Sequence, residues 1–369
     1  MRIGINATCL NDRPSGAKQR FVGLYGALFR ERPDDDFVVF SPKDCNMGAW
    51  FSNCPNVSVI QTPIPSIGRV KKFALGTQFW PSALKKARLD YFEVMHLPLI
   101  RPSSTPTMLT IHDIRGVLPQ TPRLERLLYT KVLRDALCKA DRVITVSESM
   151  AQSIEAFDNR ISTAVIYNGI NLDDQWLLEN DVKDFLERFD LTPQYLLAVG
   201  HLEVRKNYYR LIEALGHLRL RGFDIPLVII GEDSGEGALL AQLTDRLGLT
   251  RQVRFLSQVS DDDLVRAYQA AALFVFASNY EGFGIPILEA MAARCPMVLS
   301  DLAVFREITQ GKALFFPADD TFGIADTIER GLCDQAYRRA NIAYGESRVK
   351  DFDFAQLAKQ LARLYEDVD

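Results

Sequence analysis

The sequence predicts an α/β protein built from two doubly wound domains, each a parallel sheet covered by helices. Short apolar runs of strand length alternate with longer helical patterns from one end to the other, which is the signature of βαβ units. The runs fall into two series, and 369 residues exceed what one hydrophobic core usually supports. Glycine-bearing turns follow several runs, at the ends of strands where open parallel sheets bind their ligands.

Taken in order, the first series reads RIGINA, FVVF, VSVI, EVMH, TMLTI, RVITV and AVIY, and the second YLLAVG, PLVIIG, VRFL, LFVFA, MVLS and ALFF. The junction falls around Asn168 to Pro193, where AVIY meets the turn pair Asn168-Gly169 and a polar helical stretch follows. Domains are therefore expected at residues 1–172 and 173–353. The last stretch, FAQLAKQLARLYEDV, has an amphipathic helical pattern.

With 47% apolar and 24% charged residues the composition is that of a soluble globular protein. No apolar run approaches the roughly 18 residues of a membrane span. MRIGINATCL reads as a first strand, without the features of a signal peptide. Six cysteines, Cys9, Cys45, Cys54, Cys138, Cys295 and Cys333, show no C-x-x-C spacing and suit buried reduced thiols. A cytoplasmic protein is the expectation, with no nucleic-acid partner. The net charge is −4, but it is unevenly spread: up to Leu172 there are 22 Lys+Arg against 15 Asp+Glu, and beyond it 21 against 32. A basic half of this kind is expected to face an anionic acceptor or surface.

One segment sharpens that expectation. RVKKFALGTQFWPSALKKAR mixes Arg69, Lys71, Lys72, Lys85, Lys86 and Arg88 with Phe73, Leu75, Phe79 and Trp80. Cations with interleaved aromatics are what an anionic membrane interface needs, with Gly76 and Pro81 interrupting a continuous helix. The alternative is a helix that packs its aromatics on the core and leaves a solvated basic face.

Chemistry concentrates in EGFGIPILE, Glu281 to Glu289, between the apolar run LFVFAS and the helical AMAARC. A strand that ends in a glycine-bearing turn and enters a helix with Pro286 near its first position aims backbone N–H groups at an anion. Gly282 and Gly284 let the backbone come close, and Glu281 and Glu289 flank the phosphate-sized concavity. Either glutamate alone also fits a residue favoured by the helix dipole.

The nonapeptide resembles the E-x7-E element of the retaining GT-B glycosyltransferases, in particular the bacterial family, often called family 4, that contains mannosyltransferases of polysaccharide assembly. The resemblance implies a GT-B fold, two Rossmann-like domains facing a central cleft, with a last helix at about 354–369 crossing back to the first. It implies that Glu281 contacts the donor sugar's hydroxyls, that Glu289 holds the nucleotide ribose, and that the backbone of Gly282, Phe283, Gly284 and Ile285 holds phosphate. GHLEVRKN, from Gly200, resembles the family's G-x-L-x-x-R-K-N element, so Arg205 and Lys206 are expected to clamp the diphosphate, where preplaced cations stabilise the charge gained by the departing group. Some relatives have Arg directly after that glycine; this chain has His201.

TIHD matches the family's cleft histidine, which makes His112 the group near the reacting carbon, with Asp113 beside it and His96 as a rival. Gly16 lies in the loop that lines the cleft in the family, Asn168 in a turn that the family shares, and Val259 in the stretch VRFLSQVSDDDL that receives the nucleobase. Asp261 to Asp263 and Asp351-Phe352-Asp353 are read as helix caps rather than a D-x-D metal site.

The implied activity is transfer of a hexosyl unit, first choice mannosyl from GDP-mannose, to an acceptor hydroxyl of a glycan or lipid-linked glycan. Retention of configuration, no metal or cofactor, and GDP- preferred over UDP-sugars go with it, as does a peripheral position on the inner face of a membrane. A non-catalytic nucleotide-sugar-binding protein and a GT-B nucleotide-sugar epimerase are the alternatives.

Overall fold

The structure is a computed structural model that describes residues 1–12, 15–99, 105–172, 176 and 181–366. Every apolar run of both series forms a strand. In the first series β1 (Arg2–Asn6), β2 (Asp36–Ser41), β3 (Val57–Gln61), β4 (Tyr91–Val94), β5 (Thr107–Ile111), β6 (Arg142–Thr145) and β7 (Thr163–Val165) form a seven-stranded parallel sheet in the order β3-β2-β1-β4-β5-β6-β7. In the second, β8 (Leu196–Val199), β9 (Leu227–Ile230), β10 (Val253–Leu256), β11 (Leu273–Phe276), β12 (Met297–Ser300) and β13 (Leu314–Phe316) form a six-stranded parallel sheet ordered β10-β9-β8-β11-β12-β13. LVII of β9 and LFVF of β11 are buried throughout, because helices cover both faces of such sheets and apolar residues suit both. β4 begins two residues earlier than EVMH and leaves Met95 and His96 beyond its end.

The chain divides into one unit of Met1–Asn171 with Phe352–Asp369 and another of Leu172–Asp351. The last helix, Phe354–Glu366, therefore belongs with the first sheet, and residues 367–369 of the expected helix lie outside the described residues. Phe354, Leu357, Leu361 and Tyr365 share one core with Phe21, Leu24, Tyr25 and Leu28. At the centre of that core lies the Glu93 carboxylate of β4, which is fully buried. Tyr365 donates its hydroxyl to Oε2 at 2.5 Å, Thr110 donates to Oε1 at 2.9 Å, and Tyr25 donates to the same oxygen. Farther along, Arg142 Nη1 donates to the Leu364 carbonyl at 2.6 Å.

Two expectations need correction. Arg69–Ala87 is one helix of 19 residues with Pro81 inside it, not a segment broken at Gly76 and Pro81. Tertiary burial outweighs the missing hydrogen bond: Trp80 is 2% exposed and packs edge-on against Phe40 and tilted against Phe92, with centroids 5.2 and 5.5 Å away. Trp80 is therefore a core residue and is not available to an interface. The cysteines are free thiols, but Cys138 and Cys333 are exposed, both at the ends of helices.

Tyr365→Phe removes one donor from a buried carboxylate without changing the packing, and about 1–3 kcal/mol of stability is expected to go with it. Urea unfolding followed by tryptophan fluorescence measures the loss; an unchanged midpoint contradicts the role given to Glu93 in holding the last helix.

Candidate active site

In the second sheet the strand order reverses between β8 and β11, and the loops at their carboxyl ends carry the conspicuous residues. After β8 the chain passes Gly200 at φ 139° and makes a tight turn, Val204–Lys206. It then enters the helix Tyr208–Leu220 through Asn207, which is left-handed at φ 60°. A Cβ on Gly200 would meet Lys206 Cε at 2.7 Å, so glycine there makes room for the lysine stem. Asn207 donates its side-chain amide to the carbonyls of Ala277 (3.0 Å) and Ala318 (2.7 Å). Asn279 N–H donates to the Arg205 carbonyl at 2.8 Å, so the loops after β8 and β11 are stitched together.

This stitching brings Arg205, Lys206 and Glu281 into one ion cluster. Glu281 Oε1 accepts from Arg205 Nη1 at 2.5 Å, from Lys206 Nζ at 2.8 Å and from Ser278 Oγ at 2.9 Å. Among the described residues nothing bonds Oε2. Arg205 Nη2 also meets Glu203 at 2.6 Å, and Lys206 Nζ sits 4.7 Å from the Phe276 ring centroid. Burial opposes ionisation of Glu281, but Lys206, Arg205 and the hydrogen bonds together outweigh it and hold the carboxyl below its ordinary range. Lys206, 6% exposed, is pushed down by burial, against the pull of Glu281. Burial also disfavours charge on Arg205, yet Glu281 and Glu203 reverse the balance and raise it.

Gly284, at φ 132°, caps the helix Ile285–Ala292, with Pro286 in its first turn. The first N–H groups of such a helix have no acceptor within it, and they point where an anion would sit. Glu289 lies on this helix, buried, with Oε2 accepting from the Tyr268 hydroxyl at 2.9 Å, and the Tyr268 ring packs against Trp176. His201 is exposed beyond Gly200, and Val259 is half-buried between β10 and the following helix. Ser260 caps that helix, and Asp263 bonds both Ser260 Oγ and Arg188, so the Asp261–Asp263 run is a cap. Asp353 likewise accepts from Ala355 N–H. A groove lined by Arg219, Phe223, Ile225 and Arg251 opens at the opposite, amino edge of the sheet and shares no residue with the cluster.

The other candidates lie in the first unit, where Arg20 ties the helix that starts at Gly16 to Asn168 and bears on His112. Gly16 begins the helix Gly16–Arg20, capped by Ser15 Oγ. Arg20 Nη1 donates to the carbonyls of Ile166 and Tyr167 and to Asn168 Oδ1, at 3.0, 2.6 and 3.0 Å. His112 follows β5; burial, then the Arg20 guanidinium, push its imidazole down to about 3, so it is neutral at physiological pH. Asp113 Oδ1 accepts from Arg115 N–H at 3.0 Å and shapes the turn. His96 Nε2 is 3.4 Å from Thr8 Oγ1, and burial pushes this ring also down to about 3. Ser278, Tyr268 and Arg20 had no signal in the sequence, and Asn207 appeared there only as the last letter of a motif.

A depressed carboxyl stabilises the fold above its ordinary pKa and loses that contribution as the pH falls toward the folded value. The stability gap between the wild type and Glu281→Gln is therefore expected to be full above about pH 4.3 and to close below it. Urea midpoints between neutral and acidic pH test this, and a pH-independent gap rejects the ion cluster.

Comparison with known proteins agrees with this geometry. A family model described as Glycosyltransferase Family 4 matches residues 32–174, and one described as Glycosyl transferases group 1 matches residues 180–348. O-antigen chain mannosyltransferase B of Escherichia coli is 29% identical, over 69% of this chain and 69% of its own. Phosphatidyl-myo-inositol mannosyltransferase of Mycobacterium leprae is 29% identical over 100% of this chain and 97% of its own. Anabaena HepE, solved with UDP and glucose, shares the fold at a TM-score of 0.76, 18% identity and full coverage of both chains. With both sheets, both family models and these relatives in agreement, the chain belongs to the GT-B glycosyltransferases and is a glycosyltransferase.

Proposed function

We propose that the protein is a retaining mannosyltransferase that takes its sugar from GDP-mannose and passes it to a hydroxyl of a lipid-linked glycan, without metal or cofactor. The observation that carries this reading is the cluster of Arg205, Lys206 and Glu281 at the switch point of the second sheet. Two cations held beside a helix N-terminus suit a nucleoside diphosphate, whose charge grows as the sugar leaves. Glu281, with Oε2 unengaged among the described residues, suits a sugar hydroxyl, and Glu289 suits the ribose. His112, neutral, serves as a hydrogen-bonding group near the reacting carbon. The choice of mannose is supported by the relatives' names. The first unit takes the acceptor, and the enzyme works at the cytoplasmic face of a membrane. Among the described residues no helix is long and apolar enough to cross one.

Thermal stabilisation by GDP, UDP, ADP and their sugars tests the donor, since a ligand of the native state raises its stability. GDP and GDP-mannose are expected to give the largest shift; a larger shift with UDP-glucose overturns the donor. Lys206→Ala and Arg205→Ala should each lower turnover by about 10²-fold or more, as loss of one preplaced charge does. Glu289→Gln should weaken nucleotide binding by about 1.5–3 kcal/mol. Near-normal turnover in both cation variants, with folding intact, would sink the clamp.

A further inference from the structure

The helix Arg123–Lys139 of the first unit is apolar on two opposite sides. Leu133, Ala136 and Leu137 are buried beneath it. On the outward side of its first turns Leu124, Leu127 and Leu128 are 72%, 59% and 59% exposed. Their i, i+3, i+4 spacing makes one stripe, which Lys131 continues one turn on, with exposed Arg123 and Arg134 beside it. One buried stripe is enough to seat a surface helix, so the second is unaccounted for by the fold.

A second patch lies nearby in the topology. Ile67 and Phe73, 59% and 56% exposed, bracket the start of the helix Arg69–Ala87, next to exposed Lys71. Trp80 of that helix packs on Phe40 and Phe92, whereas the core of the last helix contains Phe37, Val39 and Tyr91. Side chains alternate along a strand, so the two helices cover opposite faces of the sheet. The crossovers from β3 to β4 and from β5 to β6 run in the same direction across the sheet. Right-handedness then puts Arg69–Ala87 and Arg123–Lys139 on one face, each beginning at the carboxyl edge. Both exposed patches thus share one edge of one face.

We propose that this edge docks on an anionic lipid bilayer. Leu124, Leu127, Leu128, Ile67 and Phe73 enter the acyl boundary, and Lys71, Arg123 and Lys131 reach the headgroup phosphates along their apolar stems. Charge selects this occupant: Arg123, Lys131 and Arg134 lie around the leucines against Glu125 and Asp135, and Asp135 is paired with Lys139. A protein partner fits less well, because interface hot spots favour Trp, Tyr and Arg over Leu. Lys85 and Lys86, which the sequence pattern assigned to the interface, sit at the far end of their helix, toward the amino edge, and take no part. The inference rests on the proposed lipid-linked acceptor only for its purpose, since such an acceptor lies in a bilayer.

Flotation of the whole protein with phosphatidylcholine vesicles, with and without phosphatidylglycerol, tests it. Binding is expected only with phosphatidylglycerol, and it should weaken in high salt. Leu124→Ser, Leu127→Ser and Leu128→Ser together should reduce it about tenfold or more, while Lys85→Glu with Lys86→Glu leaves it unchanged. The leucines are exposed, so thermal melting should be unaltered; if the triple variant melts early, Leu124→Ser alone serves. Wild-type binding by the leucine variants, a loss on reversing Lys85 and Lys86, or equal recovery with neutral vesicles overturns the surface. So does sedimentation showing a lipid-free dimer that the leucine variants dissociate, because a second copy then covers the patch. Turnover of GDP-mannose without vesicles reports on the proposed reaction separately: a protein inactive on that donor that still floats upholds the surface and rejects the proposed donor.

Discussion

A lysine buried at the end of a parallel strand needs a carboxylate at its side, and the second unit is arranged around that need. Lys206 has Glu281 at 2.8 Å and the Phe276 ring beneath it. For the pair to meet, the loops after β8 and β11 must be fixed relative to one another, which the Asn207 amide and the Asn279 N–H do. Gly200 must lack a side chain, and Ser278 must turn its hydroxyl onto the same carboxylate oxygen. Such clusters are poor investments in stability, because desolvation cancels much of the attraction. Their position at the switch point of the sheet is better explained by use.

The first unit solves the burial of charge differently. Glu93 is met by three hydroxyls, two of them tyrosine, and Arg20 by two carbonyls and an amide oxygen. Among the described residues neither has an opposite charge as its hydrogen-bond partner. Burial first, and then the Arg20 guanidinium, press His112 toward the neutral ring. A histidine held neutral offers one donor and one acceptor, which suits hydroxyl chemistry better than a cation would.

How much of this was legible in the sequence depended on the range of the interactions. Strands were legible because a strand buried on both faces must be apolar along its length, and LFVF or LVII has little else to be. Glu281, Arg205 and Lys206 were legible as short motifs next to strand ends. Tyr268, Ser278 and Arg20 were not, since each acts on a partner that only the folded chain supplies: Arg20 meets Asn168 from far upstream. The helix Arg69–Ala87 misled for the same reason. Local rules read Gly76 and Pro81 as breaks, whereas Trp80 gains more from Phe40 and Phe92 than the helix loses at Pro81. The leucines of Arg123–Lys139 were opaque too, because periodicity finds apolar stripes but not which of two stripes faces the sheet.

In the proposed reaction these features acquire an order. Before the donor arrives, Glu281 balances the two cations, so the site carries its positive charge without the full cost of isolating it in a dry pocket. A diphosphate brings more negative charge than one carboxylate and can draw Arg205 and Lys206 toward itself. That releases Oε1 of Glu281 from part of its load just as sugar hydroxyls come within reach. The same carboxylate thus changes partners rather than protonation state, in keeping with a carboxyl that the resting cluster holds below its ordinary range. As the sugar leaves, charge accumulates on the diphosphate oxygens, and the cations that Glu281 had held are already in place to meet it.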